Sequence, residues 1–167
     1  KTASKNTEVF NKSLVVGCTT NPGDCNEIQD YLSVDPDTFG VNVFYNPEFI
    51  AQGTIIKDLQ NADTVLICGD KFITEHDHVT VLKKIYEHIQ SGNCSVHYMS
   101  TKAGEIVKIA INTFLTTKIS YANTIGQVLA LSELDDEIDS VLEAIGNDSR
   151  IGTKYLKFGF GFGGPCF

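Results

Sequence analysis

Residues 64–98 read TVLICGDKFITEHDHVTVLKKIYEHIQSGNCSVHY, and this stretch decides the fold class. Thr64–Cys68 is a short apolar run with β-branched residues, the pattern of a buried strand. After it, Val79, Leu82, Ile85, Tyr86 and Ile89 recur at steps of three and four. That spacing predicts a helix over Thr74–Gln90, stopped by Ser91-Gly92-Asn93. Cys94–Tyr98 then returns to the strand pattern. Strand–helix–strand alternation predicts a parallel sheet with crossover helices.

The same alternation extends toward the N-terminus. Leu14–Thr19 and Val41–Tyr45 read as further strands, and Asp24–Ser33 as a helix between them. Toward the C-terminus the character changes. Ser100-Thr101 is a good cap, and the chain reads as helix from there through Leu131 with no proline. The positions Ile106, Ile109, Ala110, Thr113, Phe114, Ile119, Tyr121, Ile125, Val128 and Leu129 cover more than one face of it. A helix of about 30 residues is roughly 45 Å long. One so long usually bridges two domains or packs in a subunit interface. A second helix is predicted over Asp135–Ile145, stopping at Gly146, and Asn147–Phe167 is rich in Gly and Phe.

With 167 residues, 42% apolar and 20% charged, the chain has globular composition and the length of one domain or a little more. Thirteen Lys and Arg against 21 Asp and Glu leave a net charge of −8. That balance argues against a nucleic-acid partner, which would need a basic patch. No apolar run reaches the roughly 18 residues of a membrane span, and Lys1–Asn6 does not read as a secretory signal. Five cysteines, at 18, 25, 68, 94 and 166, include no CxxC pair and no zinc-ligand spacing, so no metal is expected. Cys18, Cys68 and Cys94 lie in or beside strand-like runs, where a free thiol acts as a small hydrophobe in a reducing, cytoplasmic setting. No Gly-x-Gly-x-x-Gly loop follows a first strand, and both ends of the sequence read as cut, as in an internal piece of a longer protein.

Four segments can carry chemistry. Gly159–Cys166 reads GFGFGGPC. Its glycines let a ligand approach the backbone, its phenylalanines can wall a flat ligand, and Cys166 is a candidate nucleophile. The alternative is a flexible linker with an incidental cysteine. Lys108 and Asn112 are four apart and share a helix face within an apolar stretch. They are either a solvated stripe or a polar pair aimed at a ligand, with Glu105 read as a surface partner of Lys108. Asn46–Gly53 follows a strand end, where ligands of open α/β sheets bind, and Glu48 there can act as a general base; a simple Asn-Pro turn is the competing reading. Cys18–Gly23, past another strand end, has hydroxyls that could position a water.

Taken in order, these blocks resemble the UDP-glucose/GDP-mannose dehydrogenase family. The matching pieces are CTTNPG at 18–23, NPEFIAQGT at 46–54, AGEIVKIAINTF at 103–114, RIG at 150–152 and GFGGPCF at 161–167. Cys18, Gln52 and Pro165 depart from the family's usual Ser, acid and Ser. The resemblance implies an α/β fold: the C-terminal part of a Rossmann-like NAD-binding domain over 1–99, then a central helical and dimerisation domain over 100–167 ending at the Cys loop. It implies oxidation of a nucleotide sugar's primary alcohol to a carboxylate in two hydride transfers to NAD, with UDP-glucose favoured over GDP-mannose and the UDP-N-acetylhexosamines. In that scheme Cys166 is the nucleophile that passes through a thiohemiacetal and a thioester. Lys108 and Asn112 hold the oxyanion, Glu48 is the base and Thr19 orients the water. Phe49, Ile50, Ala51 and Gln52 contact the substrate through their backbone. Lys157, Phe158, Gly159, Phe160, Gly161, Phe162 and Gly163 form the substrate loop. Arg150 reaches the sugar of a neighbouring subunit across a homodimer built on the long helix. Cys18, Thr19, Thr20, Gln52 and Cys166 lie on the cofactor side. The other possibility is a fragment that dimerises and does no chemistry.

Overall fold

The alternating apolar runs fold as strands because each offers one row of side chains to each face of a sheet. In a computed structural model, which describes residues 12–38, 40–50, 53–69, 77–92 and 94–162, the order is β1 (Lys12–Val16), α1 (Asp24–Val34), β2 (Val41–Tyr45), α2 (Ile55–Gln60), β3 (Thr64–Cys68), α3 (Asp77–Ile89) and β4 (Ser95–Met99). Then follow α4 (Thr101–Leu131), a 3-10 turn (Asp135–Glu137) and α5 (Ile138–Gly146). The chain divides into two units, Lys1–Lys108 and Ile109–Phe167.

In the first unit the described strands form one sheet in the order β1-β2-β3-β4. β1 and β2 pair parallel from Lys12↔Val41 to Val16↔Tyr45, and β3 and β4 from Thr64↔Ser95 to Cys68↔Met99. The middle pairing departs from the all-parallel expectation: β2 and β3 meet antiparallel where Tyr45 faces Cys68. Their connection carries the six-residue α2, about 9 Å long, rather than the long crossover helix that a parallel pair usually takes. Val43, Tyr45, Leu66 and Cys68 point to one face and pack with Cys25 of α1, with Ile28, Leu32, Met99 and Val107 beside them. Phe44, Val65 and Ile67 point to the other and pack with Val79, Leu82 and Tyr86 of α3. Each fully buried Leu or Ile in these layers stabilises by about 1.5–3 kcal/mol.

β1 ends at Val16, so Gly17, Cys18 and Thr19 lie beyond the strand predicted to include them, and Cys18 is exposed rather than packed. The expected helix over Thr74–Gln90 is described from Asp77 to Ile89. At α4 the predicted cap is present, with the Ala103 N–H donating to Ser100 Oγ at 3.4 Å. Gly104 lets α4 lie close to the sheet. A Cβ there would sit 2.3 Å from Cys68 Sγ and 3.2 Å from Tyr45 Cδ1.

The second unit is the rest of α4 with α5 and the loops after it. Its core is Ala122, Ile138, Leu142 and Leu156, flanked by Ile125, Leu129 and Ile145. Phe114, Tyr121 and Val128 recur every seven residues of α4 and are exposed. Among the described residues no helix is long and apolar enough to cross a membrane.

Candidate functional site

α1 starts without help from its own N-cap, because Gly23 (φ 112°) has no side chain to offer the open amides of the first turn. An acceptor arrives from 80 residues along the chain. Glu105, in the second turn of α4, is fully buried and accepts from the Gly23 N–H at 2.6 Å, the Cys25 N–H at 2.9 Å and the Thr20 hydroxyl at 3.1 Å. Burial alone would raise its carboxyl; the two amides, the Cys25 thiol and the Thr20 hydroxyl outweigh it and hold the group below the usual carboxylate range. The same surroundings act oppositely on Cys25, whose thiol is pushed up to about 12 by burial and by Glu105. Glu105 is therefore no surface partner of Lys108. It closes the loop that carries Cys18, Thr19 and Thr20.

One turn further on, Lys108 reaches the second predicted loop. Its ammonium donates to the Glu48 carbonyl at 2.5 Å and stands over the Phe49 ring at 4.7 Å. The loop is fixed at its root by Asn46, which is buried at the exit of β2. Asn46 donates from its N–H to the Val16 carbonyl at 2.9 Å and from Nδ2 to the Leu66 carbonyl at 2.7 Å, and its Oδ1 accepts from the Tyr86 hydroxyl at 2.7 Å. A strand end, the neighbouring strand and α3 thus fix the backbone that leads to Pro47, Glu48, Phe49 and Ile50. The Glu48 side chain itself is exposed. Lys108, Glu48, Phe49 and the Thr19–Thr20 loop are thereby all held in the first unit. Ala51, Gln52, Gly163 and Cys166 lie outside the described residues.

Asn112 follows one helical turn after Lys108, at the start of the second unit, and is half-buried. In that unit α4 also holds the loops. Lys118 donates to the carbonyls of Ile151 and Gly152 at 3.0 and 3.1 Å, pinning the RIG turn. The Arg150 guanidinium forks onto Asp148, Nε to Oδ1 at 3.0 Å and Nη2 to Oδ2 at 2.6 Å, and stays exposed. Beyond it, Leu156 is buried and Asn123 Oδ1 accepts from the Gly159 N–H at 3.0 Å. The Phe158 ring lies where a Cβ on Gly126 would be, 2.1 Å from its Cδ2. Lys157–Phe162 is thus docked at Phe158 and Gly159, while Phe160 and Phe162 are exposed.

Sequence reasoning named the loops and missed what holds them: Glu105, Asn46 as a clamp, Lys118, Asn123 and Gly126. A signal existed for one of these, Gly126, and for Gly104 as well. A glycine inside a long helix costs about 1 kcal/mol, so Gly104 and Gly126 ask for a close approach.

Two domains of one family match the chain. The NAD binding domain of the UDP-glucose/GDP-mannose dehydrogenase family matches residues 2–90, and its central domain matches residues 102–167. The chain belongs to the UDP-glucose/GDP-mannose dehydrogenase family. Within this family it is similar to the UDP-glucose 6-dehydrogenase of Drosophila melanogaster, 42% identical over 127 residues, which are 75% of this chain and 26% of the relative. To the UDP-glucose 6-dehydrogenase of Rickettsia bellii it is 31% identical over 154 residues, 92% of this chain and 34% of that one. A solved UDP-glucose dehydrogenase from the hyperthermophilic archaeon Pyrobaculum islandicum superposes with a TM-score of 0.78 at 30% identity, covering 93% of this chain and 34% of its own. The chain thus spans about a quarter to a third of the length of these dehydrogenase relatives.

Proposed function

We propose that the chain is the catalytic middle of an NAD-dependent, cytoplasmic nucleotide-sugar 6-dehydrogenase that oxidises UDP-glucose to UDP-glucuronate, with its two domains meeting at about residues 99 and 100. The observation that carries this reading is the start of α4. There Lys108 and Glu105, in successive turns, hold the two strand-end loops that a sheet of this kind turns toward its ligand.

The residues fit a dinucleotide. Cys18 and Thr19 are exposed just past the C-terminal end of β1, beside the parallel strand β2, which is the ligand side of an open α/β sheet. They, with Thr20, Gln52 and Cys166, would line the cofactor. When bound, the nicotinamide accepts a hydride in each of the two oxidations. The protein supplies the rest. Lys108 and Asn112 donate to the oxygen on the reacting carbon, whose charge grows in the transition state and is best met by fixed donors. The Cys166 thiolate bonds to the aldehyde carbon as the carbonyl π pair moves onto the oxygen held by Lys108 and Asn112, and loss of that carbon's hydride would leave a thioester. In hydrolysis the oxygen of a water held by Thr19 bonds to that carbon, Glu48 takes the water's proton, and the carbon–sulfur bond breaks to return the thiolate. Phe49 to Gln52 and Lys157 to Gly163 bind the sugar. The exposed heptad-spaced Phe114, Tyr121 and Val128 support a homodimer along α4, from which Arg150 would reach the partner's sugar.

The test is steady-state NADH formation by the intact protein against UDP-glucose, GDP-mannose and UDP-N-acetylhexosamines. UDP-glucose is expected to be the best substrate, and Cys166→Ser to stop formation of the acid. Undiminished acid from Cys166→Ser would remove the assigned nucleophile.

A further inference from the structure

The loop between β1 and α1 holds Thr19, to which the reading above gives the hydrolytic water, yet little within the loop would keep it in place. Asn21 and Asp24 close a short turn, with the Asp24 N–H donating to the Asn21 carbonyl and the Asn21 N–H to Asp24 Oδ2. Gly23 sits at a positive φ. A further restraint comes from α4. Glu105 Oε1 accepts from Thr20 and Cys25, Oε2 accepts from Gly23, and the whole residue is buried.

We propose that Glu105 is a positioning residue of the reaction: its buried carboxylate fixes the Thr19–Gly23 loop so that Thr19 is presented to the water that cleaves the Cys166 thioester. This rests on the proposed function for the identity of that step. The chemistry of the contact demands a carboxylate. Its partners are all donors, and only an ionised acid offers acceptors on both oxygens. Glutamine would turn an NH2 group toward one of those donors. Aspartate, one methylene shorter, would not reach the amides of Gly23 and Cys25. A buried unmet N–H is costly, so the loop moves when the carboxylate is lost. Lys108, three residues on, holds the Glu48 loop, so one helical turn would set both the base and the water.

The experiment uses the intact protein with Glu105→Gln, Glu105→Asp, Thr19→Ala and the double variant Thr19→Ala/Glu105→Gln. For Glu105→Gln the account expects kcat to fall about tenfold or more and KM for UDP-glucose to fall with it, leaving kcat/KM for UDP-glucose within about twofold of the parent, because the slowed step follows both hydride transfers. Intact-mass analysis of acid-quenched enzyme should then show a nucleotide-hexuronyl adduct on Cys166, because hydrolysis has become slow. Amide exchange of residues 18–25 should quicken. The double variant should be no slower than Thr19→Ala by more than about twofold. Independent, multiplying losses, or a Glu105→Gln loss with no adduct, would overturn a role through Thr19. Should Glu105→Gln fail to fold, Thr20→Val, which removes one donor only, must show the same adduct on a smaller scale; its absence overturns the proposal. Loss of acid formation in Cys166→Ser with no effect of Glu105→Gln would sink the inference and leave the proposed function standing. Full acid formation by Cys166→Ser would remove the assigned nucleophile, and no NADH from UDP-glucose with the intact parent protein would sink the function itself.

Discussion

Glu105 and Cys25 show how one buried contact sets opposite ionisation behaviour in two neighbours. The carboxyl is held below its ordinary value and the thiol far above its own. For Glu105 the sign follows from linkage. A folded-state pKa below the unfolded one means the unfolded chain binds more protons in acid, so stability is present above the unfolded glutamate value near ~4.3 and is lost as pH falls through the folded value. Thermal melts between about pH 6 and 3 should therefore show a shallower pH slope for Glu105→Gln than for the parent. Identical slopes would mean that the carboxylate is not ionised in the fold. The thiols give a second prediction. Cys18 is exposed, whereas Cys25 and Cys68 are buried and each pushed up to about 12, first by burial. Brief iodoacetamide treatment at pH 8, mapped by mass, should label Cys18 at least tenfold faster than either of them. Equal labelling would contradict the packing of α1 and α4 against the sheet.

α4 is the element on which the account turns. Its first two turns hold the loops after β1 and β2, and its later turns hold the Ile151–Gly152 turn and the Phe158–Gly159 segment. Gly126 tests the last of these, since any side chain there meets the Phe158 ring. Gly126→Val should raise KM for the nucleotide sugar by about fivefold or more in the intact protein while leaving KM for NAD within about twofold. A change in the NAD value alone would argue that Lys157–Phe162 binds something other than the sugar. The exposed stripe of the same helix makes a separate prediction. Replacing Phe114 and Tyr121 by Asp together should lower the mass of the intact protein in sedimentation by a factor of about two, and an unchanged mass would contradict the proposed dimer along α4.

At the scale of the molecule, β2 and β3 begin and end at the residues their apolar runs predict, because each run puts residues into two separate cores, Val43 and Tyr45 on one side and Phe44 on the other. β1 was less legible: Gly17-Cys18-Thr19 continues the apolar pattern, but the loop leaves the sheet there to meet Glu105. The antiparallel meeting of Tyr45 with Cys68 left no trace in the alternation of strand and helix, since hydrophobic period does not encode strand direction. The loops of the site were readable from their own residues. Their clamps were not, because Glu105 and Lys108 bind backbone groups, the amides of Gly23 and Cys25 and the carbonyl of Glu48, which no side-chain pattern announces. A chain that spans about a third or less of its relatives is expected to form no NADH from UDP-glucose by itself. The most direct measurement concerns Lys108 in the intact protein. Steady-state NADH formation with UDP-glucose should show kcat for Lys108→Ala reduced about 100-fold or more, the size of effect found when a fixed oxyanion donor is removed; a folded Lys108→Ala enzyme with the parent's kcat would contradict the account.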